Sequence, residues 1–172
     1  AIEARIYAED PERDFLPATG KILHLNFPPQ TPSLRIDTGI EGGAEITPWY
    51  DPMIAKLVVC ASTRASALRR LQQALAEVEI AGVTTNVGFL RRLAASHSLA
   101  AAELDTGLIE RNRKELLEEK PIRVELLAAA AFAELAEEER SARARASVSG
   151  DRYSPWYTVD GWRLNEDSHH DF

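Results

Sequence analysis

The sequence predicts an α+β fold, in which an antiparallel sheet comes first in the chain and packed helices follow it. From residue 1 to about residue 62, short β-type segments alternate with Gly and Pro clusters, which favour turns and edge strands. From about residue 63 the apolar residues recur with the period of a helix instead. Beyond residue 122, a stretch rich in Ala, Leu, Glu and Arg predicts one long helix.

The first region contains five predicted strands, in the segments AIEARIYA, KILHLNF, SLRIDTG, AEIT and MIAKLVVCAS. In the opening segment, Ile2, Ala4 and Ile6 share one side, whereas Glu3 and Arg5 share the other. This alternation is typical of a half-buried strand. Because the sequence opens within a strand, with no Met and no signal peptide, we expect the chain to be a piece of a longer protein.

Three helical segments follow the predicted strands. TRASALRRLQQALAEVEI places a set of apolar residues on one stripe, with Thr63 or Ser62 as its N-cap. Thr85 or Asn86 can cap a second helix, VGFLRRLAAS. A third helix, in DTGLIERNRKELLEEK, is expected to start near residue 105 or 106. The stripe of the first helix consists of Ala67, Leu68, Leu71, Ala74, Leu75 and Val78.

A domain boundary is expected between residues 117 and 122, where a charged helix end meets Pro121. We therefore predict one domain over residues 1–117 and the N-terminal part of a second over 118–172. The second begins with the long helix VELLAAAAFAELAEEERSARARAS, in which acidic residues precede basic ones, a favourable order along a helix. After Gly150, DRYSPWYTVDGWRLN predicts the first strand of a β element whose partner strands lie outside this chain, so we expect the C-terminus also to be cut.

The composition argues against several classes of protein. A formal charge of −7 over 172 residues is unlike a general nucleic-acid binder, which needs a concentrated basic face. No apolar run approaches the roughly 20 residues of a membrane span. The single cysteine, Cys60, lies in the apolar run AKLVVCAS and is expected to be a small buried hydrophobe. The lack of disulfides and of a targeting segment favours a cytoplasmic location.

Motifs alone give no complete active site. The chain lacks a Walker-type phosphate loop, a CxxC pair, HExxH and GxSxG. His169 and His170 are expected to be solvated in a tail, so no metal site is predicted. Arg5 beside Glu3 is either a surface ion pair or a functional group. In WYDPMIAKLVV, Asp51 can start a turn and Lys56 can point outward from a strand.

Three long segments carry a resemblance to one family. EARIYAEDPERDFLPATGKI, RIDTGIEGGAEITPWYDPMIAKLVV and VEIAGVTTNVGFLRRL are similar, in this order, to the C-terminal domain of biotin carboxylase in biotin-dependent acyl-CoA carboxylases. These segments most resemble the carboxylases that act on 3-methylcrotonyl-CoA. The propionyl-, geranyl- and acetyl-CoA carboxylase α chains are the alternatives. SPWYTVDGWRLN after a long helix resembles the start of the linking (BT) domain, in which a β-barrel wraps a helix.

The resemblance implies roles for three residues. Arg5 matches the active-site arginine, whose guanidinium holds the deprotonated ureido oxygen of biotin while the ring nitrogen attacks carboxyphosphate or CO₂. A permanently charged planar donor suits a position where negative charge develops. Leu108, in DTGLIE, matches an apolar residue that packs on the adenine ring of ATP. Arg35 falls near a subunit-interface region of the family.

The resemblance also implies cofactors and partners. ATP, Mg²⁺ and bicarbonate would be bound mainly by ATP-grasp domains absent from this chain, and biotin by an absent biotinyl domain, since no AMKM-type motif occurs. The carboxyltransferase β subunit and that biotinyl domain would be the partners, in a hetero-oligomer, and the chain alone is expected to be inactive. Two alternatives are an interaction module that presents the Ala-rich helix and SPWYTVDGW to a partner, and the C-terminal subdomain of another ATP-grasp ligase.

Overall fold

The computed structural model describes residues 1–117 and 122–149, and the chain divides into two units, Ala1–Glu118 and Glu119–Phe172. The first unit combines short strands with helices, so the predicted α+β class is confirmed. Its strands are β1 (Ile2–Tyr7), β2 (Glu9–Asp10), β3 (Leu16–Pro17), β4 (Gly20–Lys21), β5 (His24–Asn26), β6 (Leu34–Thr38), β7 (Glu45–Ile46), β8 (Met53–Val59) and β9 (Glu79–Ala81). Its helices are a 3₁₀ turn (Pro11–Arg13), α1 (Arg64–Ala76), α2 (Val87–Ala95), α3 (His97–Ala100), α4 (Leu108–Arg111) and α5 (Arg113–Leu117).

The main sheet has three strands in the order β1-β8-β6, and both pairings are antiparallel. One face is apolar and buried, because Ala4 and Ile6 of β1 lie beside Leu57 of β8 and Ile36 of β6. Since successive side chains of a strand point to opposite faces, the other face carries the charged residues. Burial of one face fixes the register, because a slip of one residue would expose the whole apolar set.

Helix α1 packs on the buried face of the main sheet and completes the core. The predicted N-cap is confirmed, since the Thr63 hydroxyl accepts a hydrogen bond from the Ser66 backbone N–H at 3.2 Å. The predicted apolar stripe is buried as far as Leu75, whereas Val78 lies beyond the end of the helix and is partly buried against the core. This interlock of sheet and helix holds β1, and with it Arg5, in place.

Three two-stranded sheets surround the main sheet: β2 with β3, β4 with β7, and β5 with β9. The predicted third helix is broken into α4 and α5 at Asn112, and it begins later than expected. The delay has a local cause, because the Asp105 carboxylate accepts a hydrogen bond from the Gly107 N–H at 2.8 Å and forms a turn before Leu108.

The prediction that Cys60 is buried is wrong, because the structure places it at an exposed position. Strand β8 ends at Val59, which is buried, and the alternation of the strand turns the next residue outward. The backbone of Cys60 is nonetheless held, since its N–H donates to the Ser33 carbonyl at 3.0 Å and its carbonyl accepts from Arg70. An apolar run therefore does not indicate burial of the residue that follows the end of a strand.

The second unit contains the predicted long helix, α6 (Val124–Ser149). Acidic and basic residues pair within this helix, as Glu137 does with Arg140 and Glu139 with Arg143. The strand predicted after Gly150 and the two histidines of the tail lie outside the described residues. Within the described residues, no helix is both long and apolar enough to cross a membrane.

Candidate active site

The candidate site is built around Arg5, in the middle of β1. Its neighbours Ala4 and Ile6 are buried in the core, so the Arg5 side chain must emerge on the opposite, polar face of the sheet. That side chain is 58% exposed. The position that the alternation of the sequence predicts for Arg5 is therefore confirmed, whereas its role stays a prediction.

A carboxylate of the same strand orients the Arg5 guanidinium. Nε of Arg5 donates a hydrogen bond to Oε1 of Glu3 at 2.9 Å, across the two-residue spacing that brings side chains to one face. This bond, followed by one with Tyr7, raises the pKa of Arg5 above its already high ordinary value. Because the bond to Glu3 uses Nε, it does not occupy the two terminal nitrogens of the guanidinium.

The charged face continues from Arg5 onto the neighbouring strands. In the register of the sheet, Arg5 lies opposite Lys56 of β8, and Lys56 lies opposite Asp37 of β6. Asp37 accepts from Nε of Arg35 at 2.8 Å and lies 4.0 Å from Nζ of Lys56. The Arg35 bond, with smaller help from Lys56, holds the pKa of Asp37 below its ordinary value. Arg5 therefore has a second cation as its cross-strand neighbour, which favours an anion at this part of the sheet.

A cavity of about 380 Å³ lies beside Arg5 in the first unit. Most of the side chains that line it are apolar, among them Phe15 and Leu90, while the charged ones are Arg5, Glu3 and Glu9. Burial, with a smaller contribution from the nearby charge of Asp51, raises the pKa of Glu9. The volume falls within the range of small-molecule sites, which combine apolar walls with a few polar groups.

Leu108, the second predicted site residue, is not among the residues that line this cavity. It is only 6% exposed and belongs to a separate buried cluster with Phe89 and Leu116. Its neighbour Ile109 is more exposed, at 39%. The structure thus does not bring Leu108 and Arg5 together in one cavity, and in this conformation the chain's own side chains cover most of Leu108.

Asn86 makes contacts to β1 that the sequence did not reveal. It is buried, its Nδ2 donates to the Arg5 carbonyl at 3.2 Å, and its Oδ1 accepts from the Tyr7 N–H at 3.0 Å. The sequence identifies Asn86 only as a possible helix cap. Because these partners lie about 80 positions away in the chain, no local pattern predicts the contacts.

The charged residues of WYDPMIAKLVV have the local roles that the sequence allowed. Oδ1 of Asp51 accepts from the Met53 N–H at 3.0 Å, which makes it a turn residue before β8. Trp49 and Tyr50, just before it, are exposed. Among residues 1–117 and 122–149, no group of three or more His, Cys, Asp or Glu side chains is placed to hold a metal ion.

Comparisons with known proteins agree with this geometry. A family model described as the biotin carboxylase C-terminal domain matches residues 3–111. The α subunit of mitochondrial methylcrotonoyl-CoA carboxylase from Dictyostelium discoideum is 43% identical over 166 residues, which are 96% of this chain and 23% of the relative. The α chain of mitochondrial propionyl-CoA carboxylase from Mus musculus is 41% identical over 107 residues, 62% of this chain and 15% of the relative.

Solved structures share the fold. The biotin carboxylase domain of Hydrogenobacter thermophilus 2-oxoglutarate carboxylase, a dimer in complex with MgADP, ADP and bicarbonate, superimposes with a TM-score of 0.65 and 32% identity. The superposition covers 69% of this chain and 26% of that one. The chain thus spans about a quarter of the length of the relatives it matches. It belongs to the biotin carboxylase C-terminal domain family.

Proposed function

We propose that this chain is part of the α subunit of a biotin-dependent acyl-CoA carboxylase, in which it forms one wall of the site where biotin is carboxylated with ATP and bicarbonate. The observation that carries the proposal is the placement of Arg5. It is an exposed, permanently charged side chain on strand β1, oriented by Glu3 and adjacent to a cavity with mostly apolar walls. Such a cavity suits a ligand with a hydrocarbon part and a developing negative charge.

The proposed task of Arg5 is electrostatic. Biotin, when bound, supplies the ureido nitrogen that accepts the carboxyl group. Arg5 would donate hydrogen bonds to the ureido oxygen and stabilise the negative charge there, while Glu3 keeps the guanidinium aligned through Nε. Lys56, the cross-strand neighbour of Arg5, would add positive potential at the same face.

The residues that bind ATP, Mg²⁺ and bicarbonate would lie mainly in parts of the enzyme beyond this chain, with Leu108 as the proposed contribution to the adenine contact. The relative from Hydrogenobacter thermophilus was solved with MgADP, ADP and bicarbonate, and this supports the same ligand set for the parent enzyme. Because Leu108 is buried in the Phe89 cluster, its contact with adenine would require α4 to present it to the ligand. Biotin would arrive on a biotinyl domain of the parent chain.

The acyl substrate that we propose is 3-methylcrotonyl-CoA, which would place the parent enzyme in leucine degradation. The similarity to the Dictyostelium methylcrotonoyl-CoA carboxylase subunit extends over 96% of the chain and therefore into the second unit. The similarity to the mouse propionyl-CoA carboxylase chain covers 62%. Propionyl-, acetyl- and geranyl-CoA remain the alternative substrates.

The test is incorporation of labelled bicarbonate by the intact α subunit, purified with its carboxyltransferase β subunit, with each of the four thioesters in parallel. A strong preference for 3-methylcrotonyl-CoA supports the full proposal. A preference for another thioester supports the carboxylase mechanism but assigns the parent enzyme to a different pathway. No incorporation with any of them contradicts the proposal and favours another ATP-grasp ligase.

A docking function of the second unit is a second candidate, compatible with the first. The N-terminal half of α6 exposes several large apolar side chains, of which Phe132 is 75% exposed and Leu126 61%. We propose that the second unit is the start of the linking domain and docks the carboxyltransferase β subunit in a hetero-oligomer. Replacement of Phe132 and Leu126 by Ser should weaken copurification of the two subunits, whereas the same change at exposed Glu138 should not.

Two further parts of the proposal concern the isolated chain and its location. The 172 residues alone should be inactive, so bicarbonate-dependent ATP cleavage by them would contradict this part. The cytoplasmic location stays a prediction, since the eukaryotic relatives reported above are mitochondrial by name. Fractionation of the source cells, with detection of the intact subunit, tests the location.

A further inference from the structure

Asn86 joins the start of α2 to the strand that carries Arg5. Besides the two side-chain hydrogen bonds, to the Arg5 carbonyl at 3.2 Å and from the Tyr7 N–H at 3.0 Å, its own backbone N–H donates to the Tyr7 carbonyl at 3.2 Å. Asn86 is 6% exposed, and a buried side-chain amide is stable only when its polar atoms are satisfied. Here both ends of the amide are satisfied by the backbone of β1.

The position of Asn86 in α2 makes this arrangement unusual. Asn at a helix N-cap ordinarily accepts a hydrogen bond from the first turn, yet Asn86 makes no side-chain cap bond. The amide is instead directed to β1, while the Asn86 carbonyl accepts the Leu90 N–H at 2.9 Å and so starts the helix. The side chain therefore contributes to the strand rather than to its own helix.

Strand β1 needs a partner at this point for two reasons. It lies at the edge of the three-stranded sheet, with β8 on one side. In addition, its pairing with β8 shifts register between Ile6 and Tyr7, one residue beyond Arg5. An irregularity of this kind disrupts the ladder locally and bends the strand. The Asn86 amide bonds the Arg5 carbonyl and the Tyr7 N–H much as a residue of a neighbouring strand would, and so fixes the backbone where the ladder is weakest.

We infer that Asn86 is a positioning residue for Arg5: by clamping the β1 backbone on both sides of the register shift, it fixes the point from which the guanidinium reaches biotin. The inference rests on the proposed function: Asn86 also lines the cavity beside Arg5, but both ends of its amide are bonded to β1, so it would act through Arg5. A catalytic group displaced by about 1 Å can lose up to a hundredfold in rate. Loss of the clamp should therefore lower turnover while leaving the protein folded and ATP binding intact.

The experiment compares variants of the intact carboxylase with biotin carboxylation as the assay. Asn86→Ala removes both side-chain bonds, whereas Asn86→Asp keeps the acceptor for the Tyr7 N–H and loses the donor to the Arg5 carbonyl. Gln72→Ala is the matched control, because its side chain also donates one partly buried hydrogen bond to a backbone carbonyl, that of Ala94 in α2 at 2.7 Å, and not to a group of β1. We expect Asn86→Ala to lower kcat about ten- to a hundredfold with the KM for ATP unchanged, Asn86→Asp to lose less, and Gln72→Ala to keep its kcat.

Combination with Arg5→Ala separates positioning from general stability. If Asn86 acts through Arg5, adding Asn86→Ala to an Arg5→Ala enzyme should not lower kcat further, although both Asn86→Ala proteins lose the same thermal stability. A further loss of kcat in the double variant, equal to that in the wild-type background, overturns the inference. So does a normal kcat in Asn86→Ala when Arg5→Ala is impaired. If Asn86→Ala does not fold, a kcat for Asn86→Asp equal to that of wild type overturns it too. Full activity of Arg5→Ala itself is the distinct result that removes the proposed function.

Discussion

Leu108 has two proposed roles, in the core and on the adenine ring, and a matched pair of substitutions separates them. Leu108 and Leu116 belong to the same buried cluster, with 6% and 0% of the residue exposed. Changing either to Ala removes three buried carbons, which corresponds to about 2.4 kcal/mol of transfer free energy before any cavity is counted. Because Leu108 keeps part of its surface exposed whereas Leu116 is fully buried, we expect about 2–3 kcal/mol for Leu108→Ala, and about 3–4 kcal/mol for Leu116→Ala.

Amide hydrogen exchange of α2 in the intact enzyme measures the loss, because Phe89 of this helix packs against both leucines. Protection should fall about 30- to 150-fold in Leu108→Ala, since each 1.36 kcal/mol is a factor of ten. If Leu108 also contacts adenine, this variant alone should raise the KM for ATP about five- to tenfold, the loss of about 1–1.4 kcal/mol of apolar contact. An equal KM in both variants would remove the adenine role. Unchanged protection in Leu108→Ala would refute the burial argument.

Three further predictions follow from single contacts. In the native enzyme the exposed thiol of Cys60 should react with a maleimide nearly as fast as in urea. Cys60→Ser should change stability by no more than about 0.5 kcal/mol. Strong protection of the thiol in the native enzyme would contradict the exposed position of Cys60. Gly82→Ala should lower the stability measured in thermal melts by more than about 3 kcal/mol, or prevent folding. The reason is that Gly82 has φ +107° and an added Cβ would lie 2.1 Å from a backbone carbonyl oxygen. Gly39→Ala, with open space around it, should be neutral. The hydrogen bond from His24 holds the pKa of Glu79 below its ordinary value. The stabilisation that this bond gives is therefore present above the ordinary pKa and is lost as the pH falls through the lowered pKa. Between about pH 5 and pH 3 the wild type should lose more stability than Glu79→Gln, measured by urea midpoints, and equal losses would contradict this.

Elements with a clear apolar period were predictable from the sequence. The alternation of Ile2 to Ile6 gave β1 and placed Arg5 on its exposed face, and the stripe after Thr63 gave α1 with its cap. These features depend only on residues near one another in the chain. The exposure of Cys60 is not predictable in this way, because local composition marks an apolar run but not the residue at which its strand ends.

Features that depend on distant contacts could not be predicted. The clamp of Asn86 on β1 joins residues about 80 positions apart, and nothing in the TTN segment distinguishes it from an ordinary cap. The burial of Leu108 likewise depends on how α4 and α5 fold back onto α2, which brings Leu116 and Phe89 together. The roles proposed for Arg5 and Leu108 rest on resemblance to a family. The structure shows which residues contact them, and substitutions based on these contacts test the roles.

Arg5 is proposed to stabilise the charge that develops on biotin, and its replacement in the intact enzyme is the decisive experiment. Carboxylation of biotin should be compared in wild type, Arg5→Ala, Arg5→Lys and, as control, Arg70→Ala, which removes an arginine of α1 that bonds the Cys60 carbonyl. We expect Arg5→Ala to lose about a hundredfold in kcat, the scale of one lost charge-stabilising donor, with folding and the KM for ATP unchanged. Arg5→Lys should recover only part of this loss, because an ammonium lacks the planar fork, and Arg70→Ala should match wild type. Near-normal turnover of Arg5→Ala would contradict the proposed charge-stabilising role of Arg5.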